Sequence, residues 1–152
     1  KNHIKKPTLI LEPGTAIVAD TMYFVAKVLD IKRVQNKYIA NLSGSKFNLG
    51  FLSKTINLPI SVSGEKNSCN YYEEVDFAGY TCIESDYLYK NFSGNLCIGD
   101  FIVFSNVGSY SVVFKPPFIL PNVPVFEIDE FQKIKLIKRK ENFEDIFATY
   151  IF

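Results

Sequence analysis

Residues 94–118, GNLCIGDFIVFSNVGSYSVVFKPPF, constrain the fold more than any other stretch. Gly99 and Asp100 precede a β-branched and aromatic run, FIVFS. Asn106 to Ser109 supply turn residues, and a second run, YSVVF, is stopped by the paired prolines Pro116 and Pro117. Two short runs of this composition across a tight turn predict strands over 101–105 and 110–114. Proline has no amide hydrogen to give to a ladder, so the chain must leave the sheet there. A chain organised around such pairs is mainly β.

The remaining segments extend this pattern. TLILEPG, near the start, has the form of a buried strand closed by a Pro-Gly turn, with Glu12 at its carboxyl end, where α/β folds place their chemistry. AIVADTMYFVAKVLDIKRV predicts a short helix followed by a long strand. KYIANLS and KFNLGFL predict strands around a Ser-Gly-Ser turn, and LPISVSG a third. The chain from Glu65 is polar and loop-like until Val75. From Lys133 onward charged and apolar residues alternate, as in a half-buried strand. In the tail, Asn142 with Asp145 three residues on predicts a capped helix bearing Phe143, Ile146, Phe147 and Tyr150 on one face.

At 152 residues the chain can bury a single core without staples, and 14 Phe and 9 Tyr fit a packed globule rather than a disordered segment. Seventeen basic against 16 acidic residues leave a net charge of +1, too little field to gather a polyanion or an anionic membrane. Charge or proline breaks every apolar stretch well short of the roughly 20 residues a spanning helix needs. Cys69, Cys82 and Cys97 are odd in number and widely spaced, and no leader pattern opens the chain. Free thiols in a reducing, cytoplasmic setting are the expectation. The chain begins on Lys1 and soon enters TLILEPG, so it is expected to be a piece of a longer protein.

Taken one at a time, the reactive residues admit ordinary explanations. Glu12 is a surface acid beside a turn, Cys82 a small buried hydrophobe, and KLIKRK a solvated strand face. His3 is the single histidine and lies near the start, which leaves a Ser-His-Asp or Cys-His apparatus without its base. The cysteines lack paired zinc spacing, and SGS and NVGS lack the lysine of a phosphate loop.

In order, however, EPGTAIVAD, GYTCIESD, IGDFIVFSNVGSYSVVF and KRKENFEDIFATY resemble the C-terminal region of the fold-type III pyridoxal-phosphate decarboxylases, the diaminopimelate, ornithine/arginine and carboxynorspermidine decarboxylases. These are similar to alanine racemase in fold. The resemblance implies residues 1–20 as the last strand and following turn of a (β/α)8 barrel, and residues 21–152 as a C-terminal β-barrel domain with a short terminal helix. The cofactor lysine would lie on the barrel, outside this chain. Glu12 would pair with the pyridine nitrogen of pyridoxal 5'-phosphate, and Gly14, Thr15 and Tyr110 would attend the cofactor and its phosphate. Cys82 would reach across a homodimer interface as the proton donor. Glu84, Asp86 and Phe118 would meet the amino-acid substrate. No metal, nucleic acid or membrane is implied.

The chain departs from its relatives at two positions. Thr15 stands where many have an arginine, and Ile83 where many have an acid that pairs with the substrate's distal amine. Ile83 cannot hold an ammonium, so either Glu84 takes that part or the substrate differs. Three further readings stay open: a racemase of the same fold, a non-catalytic module that kept the β-barrel, and a β-rich binding domain of chance resemblance. A racemase would carry arginine at the ring nitrogen and a tyrosine base, against which Glu12 and Cys82 speak.

Overall fold

The computed structural model describes residues 6–50, 57–64 and 69–151. His3 and the last two residues of KFNLGFL, 51 and 52, lie outside them. Helix α1 (Thr15–Val18) and a 3-10 turn (Ala19–Thr21) lead into β1 (Phe24–Val34) and β2 (Lys37–Leu42). A second 3-10 turn (Lys46–Leu49) precedes β3 (Ile60–Ser63), β4 (Asn70–Ala78), β5 (Tyr87–Leu96) and β6 (Phe101–Phe104). The chain finishes with β7 (Val125–Ile128), β8 (Ile134–Lys138) and α2 (Phe143–Phe147).

Six strands form one sheet in the order β3-β6-β1-β2-β4-β5, antiparallel except for β2 beside β4. Residues 24–27 of β1 pair with β6, and residues 28–34 with β2. Between them the register slips by one residue, Leu29, and an extra residue of this kind bends a strand and increases its twist. The sheet therefore curls. Near its edges, the Asn57 amide imitates a backbone peptide: its Oδ1 accepts from Lys90 N at 2.7 Å, and its Nδ2 donates to Lys90 O at 3.1 Å on β5. The mainly β, nearly closed barrel-like sheet is the fold expected.

The core follows from strand alternation. Phe24, Ala26 and Val28 point inward from β1 and meet Leu42, Val75, Phe77, Leu96, Ile102 and Phe104, all buried. Phe77 is fully buried, its ring 5.1 Å from that of Phe92, and burying a side chain of this size contributes about 1.5–3 kcal/mol.

Several expectations hold: the short helix before a long strand, strands at KYIANLS, LPISVSG and 101–104, and the terminal helix. Asn142 accepts from Asp145 N, and the Asp145 carboxylate accepts from Asn142 N, as a capping box requires.

Other expectations are corrected. KFNLGFL is not a strand over its described part but the 3-10 turn, because Ser45 caps it and Asn48 caps back. Residues 110–114 are not a strand. Tyr110 has φ of 65°, and Phe114 N donates to Tyr110 O at 2.9 Å, so the chain coils where YSVVF suggested extension. The loop expected up to Val75 is strand β4 from Asn70 onward; its outer residues face solvent, so its composition is polar. β5 was not anticipated at all. Lys133 onward does form β8, paired with an unanticipated β7, but Phe126, Ile128, Ile134, Leu136 and Ile137 are all exposed in this chain. Leu9, Ile10 and Leu11 are likewise exposed and pair with no strand here.

Cys69 and Cys97 were expected as free thiols and are instead joined in a disulfide. The ladder that pairs Asn70 with Leu96 puts these two cysteines opposite each other one step further out. Among the described residues, no helix is long and apolar enough to cross a membrane.

Candidate active site

The loop between β4 and β5, residues 79–86, carries the thiol. Gly79 N donates to Asp86 O at 2.8 Å and closes the loop at its base. Asp86 N donates to Ile83 O at 2.9 Å, so Glu84 and Ser85 form the corners of a turn. A side chain at Gly79 would collide with the Asp86 carboxylate, which explains the glycine. Cys82 is free and exposed, not a buried hydrophobe. Ile83 and Glu84 are exposed beside it.

Asp86 is only 3% exposed. Its carboxylate accepts from Ser45 Oγ at 2.9 Å, Lys46 N at 3.0 Å, Thr81 N at 3.1 Å and Thr81 Oγ1 at 2.7 Å. A buried carboxylate is tolerable when donors replace its water in this way. Lys46 Nζ adds a 2.7 Å bond to Ser85 Oγ from the opposite side of the loop. Burial, offset in part by a hydrogen bond with Asn48 and reinforced by the Asp86 charge, pushes the Tyr80 phenol up from its ordinary pKa.

The same 3-10 turn holds the second candidate segment. Ser111 Oγ donates to Leu49 O at 3.1 Å and also to Val107 O. Gly50, at φ of 89°, packs its Cα against the backbone of Tyr110, leaving no room for a side chain. Tyr110 itself is 53% exposed, so its phenol is directed out of the fold. Phe118 lies half-covered, its ring 5.6 Å from that of Phe47 in the turn. Ser45 to Gly50 thus seat the Cys82 loop, the Tyr110 coil and Phe118 on one frame.

Glu12, Gly14 and Thr15 enter from the other side. Gly108 N donates to Ala19 O at 2.8 Å, and a Cβ on Gly108 would strike the Val18 carbonyl oxygen, so the 106–108 turn sits directly on the backbone after α1. That contact joins the backbone at the end of α1 to the turn that precedes Tyr110. Glu12 and Thr15 are exposed, and the space where a Gly14 Cβ would stand is empty to 4 Å. The chemistry of these residues fits a pyridoxal phosphate: the Thr15 and Tyr110 hydroxyls are donors for a phosphate, and the Glu12 carboxylate an acceptor for a ring N–H. No distance places Cys82 with Glu12 inside one chain, and the sequence missed Ser45, Asn48 and Tyr80. A Ser-x-x-Asn capping signature was the signal for the first two.

Comparison with known proteins bears on this arrangement. Residues 16–108 match the family described as pyridoxal-dependent decarboxylase, C-terminal sheet domain, which is well over half of the chain. The chain belongs to this decarboxylase family. The chain is 25% identical over 156 residues to diaminopimelate decarboxylase of Methanocaldococcus jannaschii, covering 99% of this chain and 34% of that relative. A crystal structure of the M. jannaschii enzyme superposes with a TM-score of 0.79 at 24% identity, over 96% of this chain and 33% of that one. Diaminopimelate decarboxylase from Helicobacter pylori, complexed with L-lysine, gives 0.75 at 25% identity, over 90% of this chain and 34% of that one. The chain spans about a third of the length of these relatives.

Proposed function

We propose that this chain is the C-terminal domain of a pyridoxal-phosphate-dependent amino-acid decarboxylase that works as a homodimer with shared active sites. Residues 1–20 would complete a (β/α)8 barrel, and residues 21–152 form the β-barrel domain. The observation that carries the reading is the family match, together with an exposed Cys82 on a firmly anchored loop. The exposed Leu9 to Leu11 and the bare β7–β8 hairpin are what a domain joined to a larger partner domain would present.

The bound cofactor would supply an electron sink for the charge left on Cα when CO2 leaves. The chain's own residues then have separate tasks. Glu12 keeps the ring nitrogen protonated by opposing it with a carboxylate. The hydroxyls of Thr15 and Tyr110 donate to phosphate oxygens, and Gly14 leaves room for close backbone approach. A threonine lacks the bidentate grip of arginine, so Tyr110 carries more of the phosphate. Cys82 delivers a proton to Cα in the partner's site, a task suited to a thiol whose ordinary pKa of about 8.5 lies near neutrality. Glu84 and Phe118 face the substrate's side chain, and Asp86 secures the loop beneath them. Ile83 narrows the substrate to one whose distal group does not need a carboxylate at that position. A cytoplasmic location belongs to this reading.

The test is an absorbance scan of the whole protein for bound cofactor at the visible-violet boundary, followed by CO2 release from a panel of L- and D-amino acids. Cofactor absorbance with release from one compound is the expected result. Mixing Cys82→Ala subunits with subunits lacking the cofactor lysine should restore activity if the sites are shared. Absence of both cofactor and turnover would leave a non-catalytic module.

A further inference from the structure

Beneath Cys82, the Asp86 that secures the loop belongs to a cluster with Ser45 and Thr81. Cys82 itself makes no hydrogen bond among those of the described residues, so its position is inherited from its neighbours in the chain. Thr81, directly before it, is fixed twice by Asp86, through its amide at 3.1 Å and its hydroxyl at 2.7 Å. Asp86, four residues after it, is fixed in turn by Ser45 Oγ and Lys46 N. One carboxylate therefore joins both limbs of the loop to the 3-10 turn.

The arithmetic of lone pairs decides what Asp86 can do. Four donors converge on it: the single Ser45 hydroxyl proton, shared between Oδ1 and Oδ2, the Lys46 amide at Oδ1, and the amide and hydroxyl of Thr81 at Oδ2. Two carboxylate oxygens offer about four acceptor sites. None is left for a substrate ammonium, and the group is buried. Ser45 is 0% exposed, and its hydroxyl also accepts from Phe47 N at 3.2 Å, so the capping bond of the turn and the anchor of the loop share one atom.

We infer that Ser45, Thr81 and Asp86 are positioning residues for Cys82: they set the thiol where its proton reaches Cα, and do not themselves bind substrate. The inference rests on the proposed decarboxylase reading. In that reaction a proton delivered at Cα would give the amine, with the C–C electron pair taken up as the new C–H bond. Were the bound cofactor to take the proton instead, hydrolysis by water would give the aldehyde and leave the amino nitrogen on the cofactor, with no external oxidant needed. A thiol held in place selects the first route.

The experiment uses the whole protein in five forms: wild type, Cys82→Ala, Ser45→Ala, Thr81→Val and Thr81→Ser. Two quantities are read, amide hydrogen exchange across residues 80–86 and the ratio of aldehyde to amine among the products. Ser45→Ala and Thr81→Val each remove a hydrogen bond to a buried charge, so exchange in the loop should accelerate roughly tenfold or more. The aldehyde share should rise toward that of Cys82→Ala with KM within about twofold of wild type, while Thr81→Ser keeps the hydroxyl and restores the wild-type ratio. Accelerated exchange with an unchanged product ratio would overturn the inference and leave a purely structural staple. A Cys82→Ala protein with the wild-type ratio, or a wild type without CO2 release, would overturn the underlying reading and this inference with it. Two independent variants keep the test decisive if one of them fails to fold.

Discussion

Removal of the Cys69–Cys97 bond is the perturbation whose size the fold determines most directly. The two cysteines flank β4 and β5, and their sequence separation of 28 encloses the whole hairpin and the Cys82 loop. Closing a loop of that length restricts the unfolded chain, and the chain-entropy relation gives about 3.5 kcal/mol at 25 °C. A urea slope of about 2 kcal/mol/M converts this to a midpoint shift of about 1.5–2 M. Urea unfolding of the wild type with and without reductant, beside a Cys69→Ser/Cys97→Ser protein, measures it. The oxidised wild type should unfold latest, and the reduced wild type and the double variant should coincide. A thiol titration should count one accessible thiol, Cys82, before reduction and three after denaturing reduction. Coincident midpoints for oxidised and reduced protein would refute the reasoning, and three thiols in protein purified without reductant would return the cysteines to the reducing setting the sequence suggested.

Two further outcomes follow from local geometry. Gly108→Ala should cost roughly 1–3 kcal/mol, because a methyl group must push the 106–108 turn off the Val18 carbonyl; a loss of cofactor affinity larger than the loss of thermal stability would show that Tyr110 moved with it. The Arg139 guanidinium, bonded to Asp145 at 2.6 Å, and the Asn142 amide lower the Asp145 carboxyl to about 2. A carboxyl depressed in the folded state adds stability above its unfolded pKa of about 4, and that contribution is lost as pH falls through about 2. Amide protection in α2 should therefore hold at pH 5 and fade between about pH 4 and 2, and Arg139→Ala should move the onset upward; a pH-independent protection would contradict this.

What could be read from the sequence was local. The Asn142 cap, the long β1 and the FIVF strand each carry their signal within a few residues. KFNL failed because Phe47 and Leu49 alternate like a strand, while the deciding bonds are made by Ser45 and Asn48. YSVVF failed for a related reason: Val112 and Val113 favour extension, yet Tyr110 lies against Gly50 and Ser111 bonds the Leu49 carbonyl, some 60 residues away along the chain. The disulfide could not be read because it depends on the β4–β5 register, and β4 hides its strand character behind an exposed polar face. The family was legible through resemblance, whereas the bonds that fasten Asp86 to Ser45 required coordinates.

The 3-10 turn has separate grips for separate clients. Ser45 and Lys46 at its start hold the Cys82 loop, Phe47 meets Phe118, and Leu49 and Gly50 at its end hold the coil of Tyr110. Such a division favours evolution by loop exchange. A lineage could rewrite Ile83, Glu84 and Ser85 while Thr81 and Asp86 preserve the attachment, and the Tyr110 coil at the far end would feel little of the change. An engineer could graft loops between relatives on the same terms, with those two residues as the fixed joints.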